Sequence, residues 1–475
     1  MILFRPLMLA SLLLALTALI YAAPAGTWVD NQNAISVLGQ ANFTSGGAAS
    51  GPTSMFQPSS VRFDATSGKV FVADCANNRI LRFTNAQALA TGGAAEAAFG
   101  QTDLNGTTGG STQSQVRCVG EMAIDSFGHL WVVDTDNSRV LRWDNATTVA
   151  SGQLASAVLG QPDFVTTSVG TTSAKMNLPE GLFVDGAGRL WVADTGNNRV
   201  LRFDGAAGKS NGGSADAVLG QLDFVSNGSA MTQSNLNDPN SITGNSAGSI
   251  WVSDSSNNRV LRFDTAAAKT NGGSADGVLG STSFTVQTSS GTTKTSFDTP
   301  TGVTIDPQGR LYVADGANDR VLIFNGAASV ANGAGASNVL GQPTFTDATA
   351  RLTQSGFDMP FTPTWDDATQ SLWVADLANN RVTRFTPLTT TAGNVSLTGR
   401  VFDKSGRGLR NAFVSFSDSS GQLHTTVTNS FGFYAFGNIA SGSTIMMNAR
   451  AKGYTFTTRV VQAFDNLTDV NFTPQ

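Results

Sequence analysis

Only three glutamates occur in this chain of 475 residues, Glu96, Glu121 and Glu180. Two of them open what reads as the same segment, "VGEMAID" around Glu121 and "PEGLFVD" around Glu180, and the matching "PNSITGN" carries Asn240. Carboxylate and amide oxygens are the hard ligands that Ca²⁺ takes, in sets of about 6–8. Glu121, Glu180 and Asn240 are therefore the candidate metal ligands, and calcium is the cofactor they would suit. Other chemistry is poorly served. The two histidines, His129 and His424, make no cluster that could hold a catalytic zinc. No serine lies in a G-x-S-x-G turn, and neither histidine is placed as its base. No catalytic residue is assigned.

The elements that would position these oxygens come from a repeat. "LWVADTGNNRVLRFD", from Leu190, has counterparts beginning at Val70, Leu130, Ile250, Leu311 and Leu372. Its acidic residues are Asp74, Asp134, Asp194, Asp254, Asp315 and Asp376, spaced by 60 or 61 residues. Each is followed by an arginine: Arg79, Arg139, Arg199, Arg259, Arg320 and Arg381. A fixed period with turn signals between short strands means a repeat architecture. Every unit holds four strand-like pieces rich in Val, Leu, Phe and Trp, the last ending in "VLGQ" or a close variant. Six such units read as an all-β, six-bladed propeller. The first "VLGQ" (Val37 to Gln40) precedes any "VAD" phrase, and the last "VAD" phrase has no "VLGQ" after it. An N-terminal strand therefore completes blade six and closes the ring.

A phrase present in every blade is scaffold rather than a catalytic site, because a site needs different residues converging on one point. Its Asp and Asn suit a tight turn, and its Arg suits a carboxylate partner. Function is sought where blades differ. Between "GQ" and the next Pro run long Ser/Thr/Gly-rich connections with an apolar residue near each end. Their middles, such as Thr166 to Ser173, are expected to be mobile and to form a recognition face. Counting strand directions puts Cys75 and Cys118 on that same face in neighbouring blades. A Cys75–Cys118 disulfide is expected if the chain meets an oxidising compartment.

The phrase "P-x-G…D…G-x-L-x-V-A-D-x-x-N-N-R-V-x-x-F" resembles the NHL repeat, over roughly residues 34 to 386. The departure is the period, which exceeds the ~40–45 residues typical of a propeller blade. After "PLTTTAGN" comes an alternating pattern, with "GRVFDKSGRGLRNAFVSF", "TNSFGFYAFGNI" and "AKGY". It resembles the carboxypeptidase regulatory-like domain, which implies a small transthyretin-like β-sandwich without catalysis of its own. The organisation expected is a signal peptide over 1–25, a propeller over 26–386, a linker over 387–394 and a sandwich over 395–475.

Arg5, the apolar run Leu7 to Ile20 and "YAAPA" describe a secretory leader. The expected location is extracellular, cell-surface or periplasmic. No later apolar run approaches the ~18 residues of a membrane span. A net charge of −5 with 13% charged residues leaves no basic field for nucleic acid. The expected role is an exported, non-enzymatic binding protein that meets an extracytoplasmic protein or glycan. The alternative is a metal-assisted hydrolase or lyase of the gluconolactonase-like propeller type, acting at the channel mouth.

Overall fold

Short alternating strands joined by turns of Gly, Asn and Asp have one economical way to bury both faces, which is to stack as blades around an axis. The computed structural model describes residues 26–286, 290–388, 394–417, 422–440, 443–463 and 467–475. The leader expected at residues 1–25 lies outside the described residues, as do 389–393 of the expected linker. Among the described residues no helix is long and apolar enough to cross a membrane. Two compact units result, one spanning Trp28–Pro387 and the other containing Leu388–Gln475.

The first unit is a six-bladed propeller of four-stranded antiparallel sheets. Blade 1 runs outward from the axis through Pro58–Phe63, Lys69–Asp74, Arg79–Asn85 and Ala97–Phe99, and the next four repeat that order. Blade 6 has Pro360–Asp366, Ser371–Asp376 and Arg381–Phe385, and its outer strand is the N-terminal Ser36–Leu38. Ser36 pairs with Arg384, Val37 with Thr383 and Leu38 with Val382. The ring is closed by that strand.

Packing explains the aromatic in "LWVAD". Trp131, Trp191 and Trp251 leave their own blades and pack in the core of the following one. Trp373 of blade 6 does the same against Val61, Val72 and Leu81 of blade 1, so the seam is sealed like any other joint. The second unit is a small sandwich. Asn394–Arg400 pairs with Phe433–Ala440, facing a sheet ordered Leu423–Val427, Phe413–Ser417, Ser443–Arg450 and Arg459–Ala463. Leu397, Val414, Tyr434, Ile445 and Met447 form its centre.

What the repeated phrase does is visible in blade 3. Arg199 Nε donates to Asp194 Oδ2 at 2.7 Å, and neither side chain touches solvent. Nη1 donates to the carbonyls of Thr171 and Phe224, and Nη2 to those of Thr172 and Lys175. The first three residues belong with Lys175 to two successive long connections, so one fork fastens both. Asn197 donates to Asp194 and to the Gly170 carbonyl, and Gln161 of "VLGQ" donates to the Ser168 carbonyl. The six connections are thus an ordered collar on one face. This corrects the expectation of mobile middles, since the carbonyls of Thr166 to Ser173 are largely committed to the scaffold. A guanidinium fork in a dry site needs all its donors met, and backbone carbonyls meet them.

On the same collar Cys75 and Cys118 form a disulfide with a Cα–Cα distance of 4.2 Å. It closes a loop of 43 residues, worth about 4 kcal/mol on chain entropy. Two outcomes test the scaffold. Deleting residues 26–40 removes the wholly buried Val37 and Leu38. Calorimetry should then show a large drop in Tm with exposed apolar surface, and unchanged melting would refute closure. Arg199→Met should cost about 3–5 kcal/mol in chemical denaturation, because it strands a buried carboxylate. A loss within the ~1 kcal/mol of an exposed pair would refute the fastening role.

Candidate functional site

The inner strands start at the collar face, and five of the six start irregularly. Pairing slips between Pro58 and Ser60, Val119 and Met122, Pro239 and Ile242, Pro300 and Gly302, and Pro360 and Pro363. Such bulges re-aim side chains and break the two-residue alternation. Met122 pairs with Val132 where Leu182 pairs with Val192, so Glu121 is the counterpart of Gly181 and not of Glu180. The three candidate ligands therefore part company. Glu121 lies on the axis, while Glu180 and Asn240 stand at the collar-face mouth of the channel.

Glu121 is wholly buried and reaches across the ring. Its Oε1 accepts from Ser241 Oγ at 2.5 Å and from Thr362 Oγ1 at 3.4 Å. Its Oε2 accepts from the Leu182 amide at 2.9 Å and lies 3.7 Å from Arg62 Nη2. Ser241 Oγ also accepts from the Val303 amide, so the network touches every blade. Gly181 and Gly302 let adjacent inner strands approach closely here; a Cβ on Gly181 would lie 2.5 Å from the Asn240 carbonyl oxygen. Burial raises the Glu121 carboxyl above its ordinary value and is opposed by Arg62 and the hydroxyl and amide donors. Burial likewise lowers the Arg62 guanidinium, opposed by Glu121.

Glu180 is the opposite case. It is half-buried, and no described residue donates a hydrogen bond to its carboxyl. Burial, then the charges of Asp136, Glu121 and Asp238, push it up to about 8. At neutral pH it holds its proton. On the adjoining segments Thr135 Oγ1 and Asn240 Oδ1 are buried without a partner. The equivalent hydroxyls of Thr195 and Ser255 are spent on the Pro239 and Pro300 carbonyls.

Around this mouth stand six non-glycine residues with left-handed backbone: Gln57, Cys118, Leu178, Asp238, Thr299 and Met359. Each amide is held by a side chain of the preceding blade, as Asp238 is by Asn198 Oδ1 at 2.9 Å. Strained backbone of this kind persists where surrounding structure enforces it, and it gathers at functional sites. It leaves Phe56, Leu178 and Met359 exposed on the rim.

Among the described residues no group of three His, Cys, Asp or Glu side chains could hold a metal ion. Glu121 already spends its oxygens on protein donors. Glu180 and Asn240 remain, too few for the ~6–8 oxygens of a calcium shell without other donors. The residues present do not fit the ion as the expected trio. His129 bonds Asp125 at 2.8 Å in a turn on the opposite face, and His424 stacks on Phe416 in the sandwich. Sequence reasoning missed Arg62. Its signal was there: the matching inner-strand positions hold Ala123, Phe183, Thr243, Thr304 and Thr364, and Arg62 alone is charged.

The NHL repeat matches residues 176–203 and 297–324, and the carboxypeptidase regulatory-like domain matches residues 396–475. NHL repeat-containing protein 3 of Homo sapiens is 29% identical over 92 residues, covering 19% of this chain and 23% of that protein. The mouse protein matches to the same extent. Among solved structures, virginiamycin B lyase from Staphylococcus aureus is similar at 15% identity and a TM-score of 0.39, covering 71% of this chain and 97% of that one. A gluconolactonase from Xanthomonas campestris matches at 13% and 0.41, covering 77% and 98%. An auxiliary nutrient binding protein from Bacteroides thetaiotaomicron matches at 12% and 0.46, covering 74% and 75%. The expectation of a non-enzymatic protein is withdrawn as unsupported, since the structures found include a lyase and a lactonase as well as a binding protein. At such identity only the fold is shared, and none of their activities passes to this chain. The chain carries NHL repeats in a six-bladed propeller, followed by a carboxypeptidase regulatory-like domain.

Proposed function

We propose that this chain is an exported hydrolase or lyase that works at the collar-face mouth of the channel, with Glu180 as the proton-transfer group. The reading rests on one observation, a half-buried carboxyl that no described residue satisfies and that stays protonated up to about pH 8. A perturbed carboxyl in a cleft is suited to general acid catalysis near neutrality. In the hydrolytic case water adds to the carbon as its C–O bond breaks, Glu180 gives its proton to the leaving oxygen, and the proton released by the water returns to the Glu180 carboxylate. Asn240 Oδ1 and Thr135 Oγ1, buried beside it without donors, would accept from substrate hydroxyls once the mouth opens around them, which favours a hydroxyl-rich substrate such as a sugar lactone or glycan. Export accords with the leader-like N-terminus and with the Cys75–Cys118 bond. A second reading is adhesion to an extracytoplasmic protein or glycan, and the exposed Phe56, Leu178 and Met359 on the rim favour it.

A lactone and glycan cleavage panel, run with calcium and with chelator, tests the first reading. Glu180→Gln should lower kcat/KM by about 10²–10⁴-fold, the contribution of a positioned acid. Native activity should decline as pH rises through about 8, where the acid loses its proton. Stability gives an independent check. Relative to its ordinary value of 4.5, the raised Glu180 makes the folded state hold the proton more tightly, so its contribution is lost as pH rises through about 8. At about pH 9 Glu180→Gln should be the more stable protein, by on the order of 2 kcal/mol after solvent screening. No turnover with intact capture on a glycan or protein array would support the adhesive reading instead.

A further inference from the structure

The channel has a second opening, on the face opposite the collar. There the inner strands of all six blades and the turns that follow them in blades 1 and 6 enclose a cavity of ≈ 480 Å³. That is within the ~300–1,000 Å³ of small-molecule sites. Its walls set Phe63, Phe183, Ile305 and Trp365 beside the hydroxyl-bearing Thr243, Thr304 and Thr364, so apolar and polar surface are mixed. Trp365 stacks on Tyr312 at an interplanar angle of 11°, which fixes a flat wall. The floor is Arg62, and behind Arg62 the Glu121 network crosses the channel. We infer that this cavity is a second ligand site, taking a neutral, partly apolar small molecule that presents a carbonyl-type oxygen to Arg62.

The donor count supports the polar contact. A guanidinium carries five N–H donors. Arg62 Nη1 donates to the Val61 carbonyl at 2.8 Å and to Thr364 Oγ1. Nη2 lies 3.7 Å from Glu121, an ion-pair distance too long for a hydrogen bond. No described residue accepts from Nε. Arg62 itself lines the cavity, so the remaining donors have a ligand-sized space before them.

Charge decides the class. Glu121 already balances Arg62, so an anionic ligand would add an unmatched charge, which is costly away from bulk water. Asp64, Asp366 and Asp367 line the cavity and repel anions as well, and Asp367 Oδ1 accepts from Gln370 Nε2. The carboxylates of Asp64 and Asp366 are held in their turns by Ser67 and Thr369 and do not reach for a ligand cation. A neutral acceptor meets the open donors without changing the charge count. This site lies on the other face from Glu180 and does not depend on the catalytic reading.

Titration of the full chain with prodan, a neutral naphthyl ketone whose emission reddens when its carbonyl accepts a hydrogen bond, provides the test. One saturable site is expected. Thr304→Trp and Val184→Trp each fill the cavity from a lining position and should weaken binding by at least about tenfold, with Tm confirming that they fold. Arg62→Lys keeps the charge opposite Glu121 and loses the fork, so the bound dye should emit further to the blue. Glu180→Gln should leave the titration unchanged. The site is overturned if wild type shows no saturable binding, or if both filled variants that fold bind as wild type does. The neutral class is overturned if anilinonaphthalene sulfonate, an anion, displaces prodan and binds the tighter of the two.

Discussion

A guanidinium sealed away from water must find an acceptor for nearly every N–H it carries, and this propeller is arranged around meeting that demand six times. Each arginine of the repeated phrase has one carboxylate partner, which balances its charge, and backbone carbonyls that absorb the remaining donors. Those carbonyls come from connections on both sides of the blade. Strand geometry alone would leave long Ser/Thr/Gly-rich segments with little to bury. The arginines give them a place to end, and a rigid collar follows from an electrostatic requirement rather than from apolar packing.

The same requirement recurs once on the axis with a different solution. Glu121 is isolated from solvent and has a single cation near it, at 3.7 Å. Hydroxyls and an amide from other blades supply the rest of its solvation. Because its partners span the ring, the carboxylate separates the channel into two chambers of unlike character. One holds a protonated acid among unpaired oxygens, and the other mixes apolar and hydroxyl-bearing walls with a partly committed cation at its base.

Most of the architecture was readable from spacing. The six phrases, the strand pieces between them and the two markers out of step at the ends gave the blade count and the closing strand, because a scaffold repeated six times averages away local noise. The site was less readable for a specific reason. Glu121 and Glu180 look equivalent when their phrases are aligned by eye, yet they stand 59 residues apart in a 60-residue repeat and so occupy successive positions, one on the axis and one at the mouth. The long connections misled in the other direction. Their composition is that of a flexible loop, and their order depends on side chains contributed from elsewhere in the blade. Arg62 was legible in principle, as the one charge in a column of Ala, Phe and Thr.

The strand that completes blade 6 is also the first of the propeller's strands to be made. If the polypeptide is threaded outward N-terminus first, Ser36–Leu38 waits while nearly the whole propeller emerges, since its partner Arg381–Phe385 comes at the far end. During that interval it is an unpaired β-edge, and so is the growing face of each blade already formed. Its brevity, three residues, offers little template for pairing with another chain. A chain cut short before its last blade has no partner for that strand, so its ring stays open and its strand edges stay unpaired.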